Sequence, residues 1–216
     1  MSSSRQYSVK EVYATLQGEG GQVGQMAVFL RFSGCNLWSG READRSGAWC
    51  DFCDTDFVGT DGPGGGTFEL TALVDKVEEA WLALSATSGP RWVVCTGGEP
   101  TLQLDTSLVS ALHAAGFLIA IETNGSRPVP EGVDWICVSP KGLVPLQQRS
   151  GQELKLVYPQ AGVEPSAFEI LAFERFYLQP KDGPDREDAL RETLAYCMAH
   201  PRWRLSLQTH KLLGLR

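Results

Sequence analysis

Short apolar runs alternate with amphipathic stretches along this chain. Residues 26–33, MAVFLRFS, are nearly unbroken apolar sequence, and their length and β-rich composition predict a strand. RWVVCT (91–96), FLIAIE (117–122), DWICVS (134–139), ELKLVY (153–158), RFYLQ (175–179) and WRLSLQ (203–208) predict further strands. Between them the period changes. Leu73, Val77, Trp81 and Leu84 form one stripe over 70–85, which predicts a helix. Leu108, Leu112 and Ala115 do the same over 104–115. A third helix is predicted over 186–200, with Asp185 placed to cap it and Leu190, Leu194 and Cys197 on its apolar face. Residues 164–171 allow a short helix, and GTDGPGGGT (59–67) is a glycine-rich loop.

Strands joined through helices imply crossover units and a mostly parallel sheet, hence an α/β fold. An open sheet and a partial barrel both satisfy the pattern. No repeat or change of composition divides the chain, so 1–216 is expected to be one domain. Polar or glycine-bearing clusters follow the strand ends: the cysteine-bearing stretch 34–58, GGEP (97–100), ETNG (122–125), SPK (139–141), QPKD (179–182) and QTHK (208–211). In parallel α/β folds ligands bind beyond the carboxyl ends of the strands, so six such clusters on one rim predict an active site.

Composition narrows the partners. With 19 basic and 26 acidic residues the formal charge is −7, which argues against a nucleic-acid partner. The first residues lack the apolar core of a secretory signal, and no run approaches the ~20 apolar residues of a membrane span. A cytoplasmic location is therefore expected, where thiols stay reduced. The six cysteines then read as ligands, nucleophiles or small buried hydrophobes rather than disulfides.

Cys35, Cys50 and Cys53 share one polar loop, spaced C-x14-C-x2-C. A structural zinc would need a fourth ligand, and His210 is the candidate on the rim. His113 and His200 lie on helices, while Cys95, Cys137 and Cys197 lie in apolar settings as small hydrophobes. An iron–sulfur cluster held by three thiolates is the second reading, with one iron left open to a ligand.

LQGEG (16–20), LRFSGCNLW (30–38), CDFCDT (50–55), TGGEP (96–100), ETNG, SPK, QPKD and LSLQTHKLLG (205–214) together resemble a radical S-adenosylmethionine (SAM) enzyme. Within that superfamily they are similar to the 7-carboxy-7-deazaguanine synthases. The common superfamily spacing is C-x3-C-x2-C; here the insert SGREADRSGA widens the first gap, as in some of these synthases. The resemblance implies a partial, modified (β/α)6-type barrel with mostly parallel strands. It implies a [4Fe–4S] cluster on Cys35, Cys50 and Cys53, with SAM on the open iron. It further implies that 6-carboxy-5,6,7,8-tetrahydropterin is contracted to 7-carboxy-7-deazaguanine with loss of ammonia, in queuosine (7-deazapurine) biosynthesis.

By the same resemblance Phe52, Cys53, Asp54 and Gly98 line the SAM, as do Ser139, Pro140, Lys141, Gln179, Pro180, Lys181 and Asp182. Leu16, Gln17 and Gly18 match a pterin-binding turn. Arg31 offers a two-pronged donor to the substrate carboxylate, and Thr96 and Glu122 sit at strand ends facing the ring edge. His210 and the terminal carboxylate of Arg216 complete the substrate set. Thr55 is implied as a ligand of a magnesium ion that also contacts substrate. A homodimer and a flavodoxin or ferredoxin electron donor are implied as partners. Two competing functions share part of the pattern: an activase of a glycyl-radical enzyme, and a zinc-stabilised binding module without catalysis.

Overall fold

The computed structural model describes residues 5–84 and 89–215. Among the described residues nine strands form one sheet in the order β3-β1-β2-β4-β5-β6-β7-β8-β9. They are β1 (Gln6–Leu16), β2 (Met26–Phe32), β3 (Gly66–Glu69), β4 (Arg91–Gly97), β5 (Phe117–Thr123), β6 (Trp135–Val138), β7 (Ser150–Tyr158), β8 (Ala172–Pro180) and β9 (Trp203–Leu205). β1 runs antiparallel to both β2 and β3. From β2 to β9 every pairing is parallel. The helices are α1 (Leu70–Leu84), α2 (Thr106–Ala114), α3 (Arg186–Ala199) and a short α4 (Thr209–Leu213).

Alternation along the strands divides the side chains between two faces. Val28, Leu30, Phe32, Val93, Cys95, Ile119 and Ile121 point to one side. There they bury against Leu73, Val77 and Trp81 of α1 and Leu108 and Leu112 of α2. Leu154, Leu156, Phe176, Leu178 and Trp203 form a second core on which Tyr196 and Cys197 of α3 pack. On the other face Ala27, Val94 and Ala120 are small and buried, under Phe29, Trp92 and Trp135. One step further along the same strands the inward positions become Arg31, Thr96 and Glu122, and these line a cavity.

The sheet curls. In the turn after β1, Gly20 N–H donates to Ser206 Oγ across 2.9 Å, and Gly18 O accepts from Thr209 N–H at 2.9 Å. Gly21 N–H meets Glu153 Oε2 on β7 at 2.6 Å. The β1–β2 hairpin thus reaches the far edge of the sheet, and the result is the expected partial barrel.

Several elements differ from their sequence expectations. β1 carries Lys10 and Glu11 in adjacent buried positions at a bulge, so its polar content hides a strand. β3 and α4 also emerge where no element was expected. The strand expected over 203–208 stops at Leu205. Helix α1 is described to Leu84, and Ser85 of its expected range lies outside the described residues. Residues 164–171 form only a 3-10 turn, Pro165–Phe168. Among the described residues no α-helix lies in the connections from β5 to β8: Pro128 and Pro130 interrupt the first, Pro140 and Pro145 the second, and the third holds only that 3-10 turn. In α3 the buried residues are Ala189 and Thr193, whereas Leu194 is exposed, so the expected stripe is rotated. Asp185 is the N-cap residue, but its carboxylate makes no capping hydrogen bond.

Candidate active site

The curled sheet encloses a cavity of about 580 Å³ at the carboxyl ends of the parallel strands. Its floor is an ionic network. Lys155, buried on β7, donates to Glu122 Oε2 at 3.0 Å and Glu19 Oε2 at 2.5 Å. Gln17 Nε2 donates to Glu122 Oε1 at 2.8 Å, and Gln17 Oε1 accepts from Glu19 N–H at 3.1 Å. Gln208 Nε2 reaches the second oxygen of Glu19 at 3.1 Å. Burial opposes the Lys155 charge, but Glu122 and Glu19 outweigh it and hold its pKa well above the usual lysine value. Burial likewise opposes the Glu19 charge, yet Lys155 brings its carboxyl down to about 2. A buried charge survives only with such partners, so the floor presents fixed charges at neutral pH.

Arg31 rises from β2 on one wall. Its Nε donates to Glu11 Oε1 at 2.8 Å and its Nη2 to the Tyr13 hydroxyl at 3.3 Å. Burial works against the guanidinium charge, but Tyr13 and Glu11 more than offset it, so its pKa lies above the ordinary arginine value. One edge of the fork is therefore committed to the protein.

The three cysteines of the 34–58 loop all line the same cavity. Leu37 N–H donates to Cys35 Sγ at 3.4 Å. A hydrogen bond from the Cys50 thiol brings Cys53 down to about 6 and pushes Cys50 up, so one thiolate is favoured near neutral pH. Glycine lets GGEP lie against this loop: a Cβ at position 98 would stand 2.2 Å from Gly34 O and 2.8 Å from Cys35 Cβ. Fully buried Glu99 fastens the segment from below. Its Oε1 accepts from Thr101 N–H at 3.0 Å and Thr123 Oγ1 at 2.7 Å, and its Oε2 from Asn124 N–H at 2.8 Å.

Among the described residues no three His, Cys, Asp or Glu side chains converge as a single bound ion requires. His210 does not supply a fourth ligand; its ring packs on Gly18 instead. Cys95 and Cys137 are buried in the sheet, and Cys197 packs from α3. Cys137 departs from a purely apolar setting, since it neighbours Glu153 and burial pushes its thiol well up.

Along the rim Phe52, Asp54, Gly98, Ser139, Lys141, Gln179, Pro180 and Asp182 line the cavity, as do Leu16, Gln17, Gly18, Thr55 and Thr96. Lys141 Nζ donates to Ser139 Oγ at 2.7 Å and lies over the Phe52 ring at 5.7 Å. Gln179 Oε1 accepts from Ser206 Oγ at 3.0 Å. Pro140 and Lys181 fall outside the lining; the Pro140 carbonyl accepts from Gln160 and Lys181 N–H donates to Tyr158 O. Arg216 lies outside the described residues. Sequence reasoning missed Lys155 and Glu19 as site residues, and it placed Glu99, Gln208 and Lys211 in rim clusters without giving them roles. Lys211 bridges Asp54 and Asp182 at 2.6 Å each, which closes α4 over the rim. A lysine between two core leucines of a strand, as at Leu154-Lys155-Leu156, was the available signal for one of them.

No family model matches the chain. It is 63% identical to the 7-carboxy-7-deazaguanine synthase of Caulobacter vibrioides over 212 residues, which cover 97% of this chain and 99% of the relative. It is 60% identical to the enzyme of the same name from Bordetella pertussis, with the same coverage of both chains. Among solved structures, QueE from Escherichia coli superposes with a TM-score of 0.62 at 25% identity, over 94% of this chain and 93% of that one.

Proposed function

This chain belongs to the 7-carboxy-7-deazaguanine synthase family, and from that premise we infer that its cavity converts 6-carboxy-5,6,7,8-tetrahydropterin to 7-carboxy-7-deazaguanine. The reaction is a ring-contracting carbon–nitrogen cleavage within queuosine biosynthesis. Its atoms balance as substrate giving product plus ammonia. The observation that carries this reading is one cavity with three thiols on a wall and, on its floor, a half-buried glutamate paired with a buried lysine.

Cys35, Cys50 and Cys53 would hold a [4Fe–4S] cluster, and the cluster with SAM bound would supply the radical chemistry of hydrogen abstraction. The chain's own groups then position and shield. Gly98, Ser139, Lys141, Gln179, Pro180 and Asp182 face the SAM side, with Phe52 and Asp54; Pro140 and Lys181 support them from outside the lining. Glu122, held in place by Lys155 and Gln17, accepts from the donor edge of the pterin ring. Gln17, Leu16, Gly18, Thr96 and His210 bound that ring. The Arg31 edge turned away from Glu11 takes the substrate carboxylate, and Arg216 is assigned to the same substrate set. Thr55 offers an oxygen to magnesium, which suits a hard cation that keeps several waters.

The whole chain works as a single radical SAM domain, assembled as a homodimer in the cytoplasm and reduced by a flavodoxin or ferredoxin. Among the described residues no helix is long and apolar enough to cross a membrane. A glycyl-radical activase would share the cysteines and GGEP but would not need a floor of Gln17, Glu122 and Lys155. Anaerobic turnover tests the reading. Ammonia release must depend on the carboxytetrahydropterin and on SAM; release without the pterin would refute it.

A further inference from the structure

The insert that separates Cys35 from Cys50 has a structure of its own. Trp49 N–H donates to Leu37 O at 3.2 Å, which closes the neck of the excursion and returns the chain beside its starting point. Cys35 and Cys50 therefore stay neighbours despite the long gap. Within the excursion, Glu42–Gly47 forms a 3-10 turn.

That turn delivers one side chain back to the cysteines. The Arg45 guanidinium lies 4.2 Å from the ring centre of Trp38, which is itself buried and packs edge-on against Phe57. Its Nε is held by both oxygens of Glu42 at 2.8 Å. Its Nη1 donates to Asp51 O at 2.8 Å and to Cys53 O at 3.0 Å. Both carbonyls belong to the Cys50–Cys53 turn. An arginine braced on an aromatic face and a carboxylate has a fixed fork, so it fixes what it binds.

We propose that Arg45 is a positioning residue for the iron–sulfur cluster, the device by which the insert replaces a tight cysteine loop. By fixing the Asp51 and Cys53 carbonyls, it keeps Cys50 and Cys53 on the cavity wall beside Cys35 before any metal arrives. The proposal rests on the assignment of these cysteines to a cluster.

The test compares wild type, Arg45→Lys and Arg45→Met after anaerobic reconstitution. Iron and acid-labile sulfide per chain are measured first, then the rate at which a chelator strips iron. Arg45→Met removes both charge-assisted hydrogen bonds to the cysteine turn, so it should lose iron about tenfold faster or more. Arg45→Lys keeps the charge but not the fork and should fall between. Thermal unfolding of the apoproteins should differ little, since the clasp acts on an exposed loop. Equal stripping rates would overturn the proposal, as would a fall in apoprotein stability large enough to explain the iron loss. If Arg45→Met aggregates, Arg45→Lys decides on the same criteria. Failure of wild type to assemble a cluster would instead refute the cysteine assignment.

Discussion

The Lys155 ammonium donates to Glu122 across 3.0 Å at the floor of the cavity. This contact sets the chemistry of the pocket. One Glu122 oxygen accepts from Lys155 and the other from Gln17, so both oxygens are fixed in place as acceptors lining the cavity. A pterin edge of ring N–H and amine donors has its complement there. Glu122→Gln keeps the shape, loses the charge and leaves Lys155 with Glu19 as partner. Truncating one member of such a pair typically costs ~2–5 kcal/mol, so substrate affinity should fall at least about thirtyfold. SAM affinity should change little. Equilibrium binding of both ligands to the reconstituted protein checks this, and parallel losses would assign Glu122 a general structural role.

The same network makes a pH prediction. Glu19 has its carboxyl lowered from an ordinary 4.5 to about 2, through Lys155 against the opposing effect of burial. A depressed acid stabilises the fold fully above its unfolded pKa, and that contribution is lost as pH falls through the folded one. The unfolding free energy should therefore drop between about pH 4.5 and pH 2. Glu19→Gln should flatten that slope while lowering stability near neutrality. Denaturant melts of the two apoproteins across this range measure it; superimposable pH profiles would show that Glu19 is not the group.

Only three of the six cysteines should matter for iron. Cys35→Ala, Cys50→Ala and Cys53→Ala should each lose cluster and SAM cleavage. Cys197→Ala, which packs on the second core, should keep both at a small stability cost. Iron and sulfide analysis of folded variants decides. A Cys197→Ala protein without cluster beside a Cys35→Ala protein with one would reverse the assignment.

Thr55 lines the cavity two residues beyond Cys53, and its neighbour Asp56 is occupied by Lys10 at 2.8 Å. Thr55→Ala should spare cluster and SAM binding but blunt activation by magnesium, while Thr55→Ser retains part of it. Turnover against magnesium concentration is the measurement. Identical activation midpoints and amplitudes for wild type and Thr55→Ala would remove Thr55 as the ligand.

Much of the frame was legible because parallel strands carry unbroken apolar runs and helices carry stripes: β2, β4, β5 and α1 follow their expected ranges closely. The rim was legible because GGEP, SPK and QPKD break those runs at strand ends. What stayed hidden was polar residues buried in pairs. β1 places Lys10 and Glu11 inward, so its sequence lacks a strand's apolar signature. Glu99 and Lys155 look like surface charges until the sheet curls and brings Thr123, Asn124, Glu19 and Glu122 against them. α3 misled for the opposite reason. Its apolar residues lie all round the helix, so the stripe did not fix which face Thr193 and Ala189 would bury.

The most direct test of the central claim is the mass of the product. The anaerobically reconstituted chain is given SAM, a reductant, magnesium and 6-carboxy-5,6,7,8-tetrahydropterin, and the small molecules are resolved by mass spectrometry. The account predicts a new species lighter than the substrate by one ammonia, co-eluting with 7-carboxy-7-deazaguanine, absent when Cys53→Ala replaces wild type and strongly reduced with Glu122→Gln at limiting substrate. SAM cleavage by a cluster-loaded wild type that leaves the pterin unchanged would contradict it.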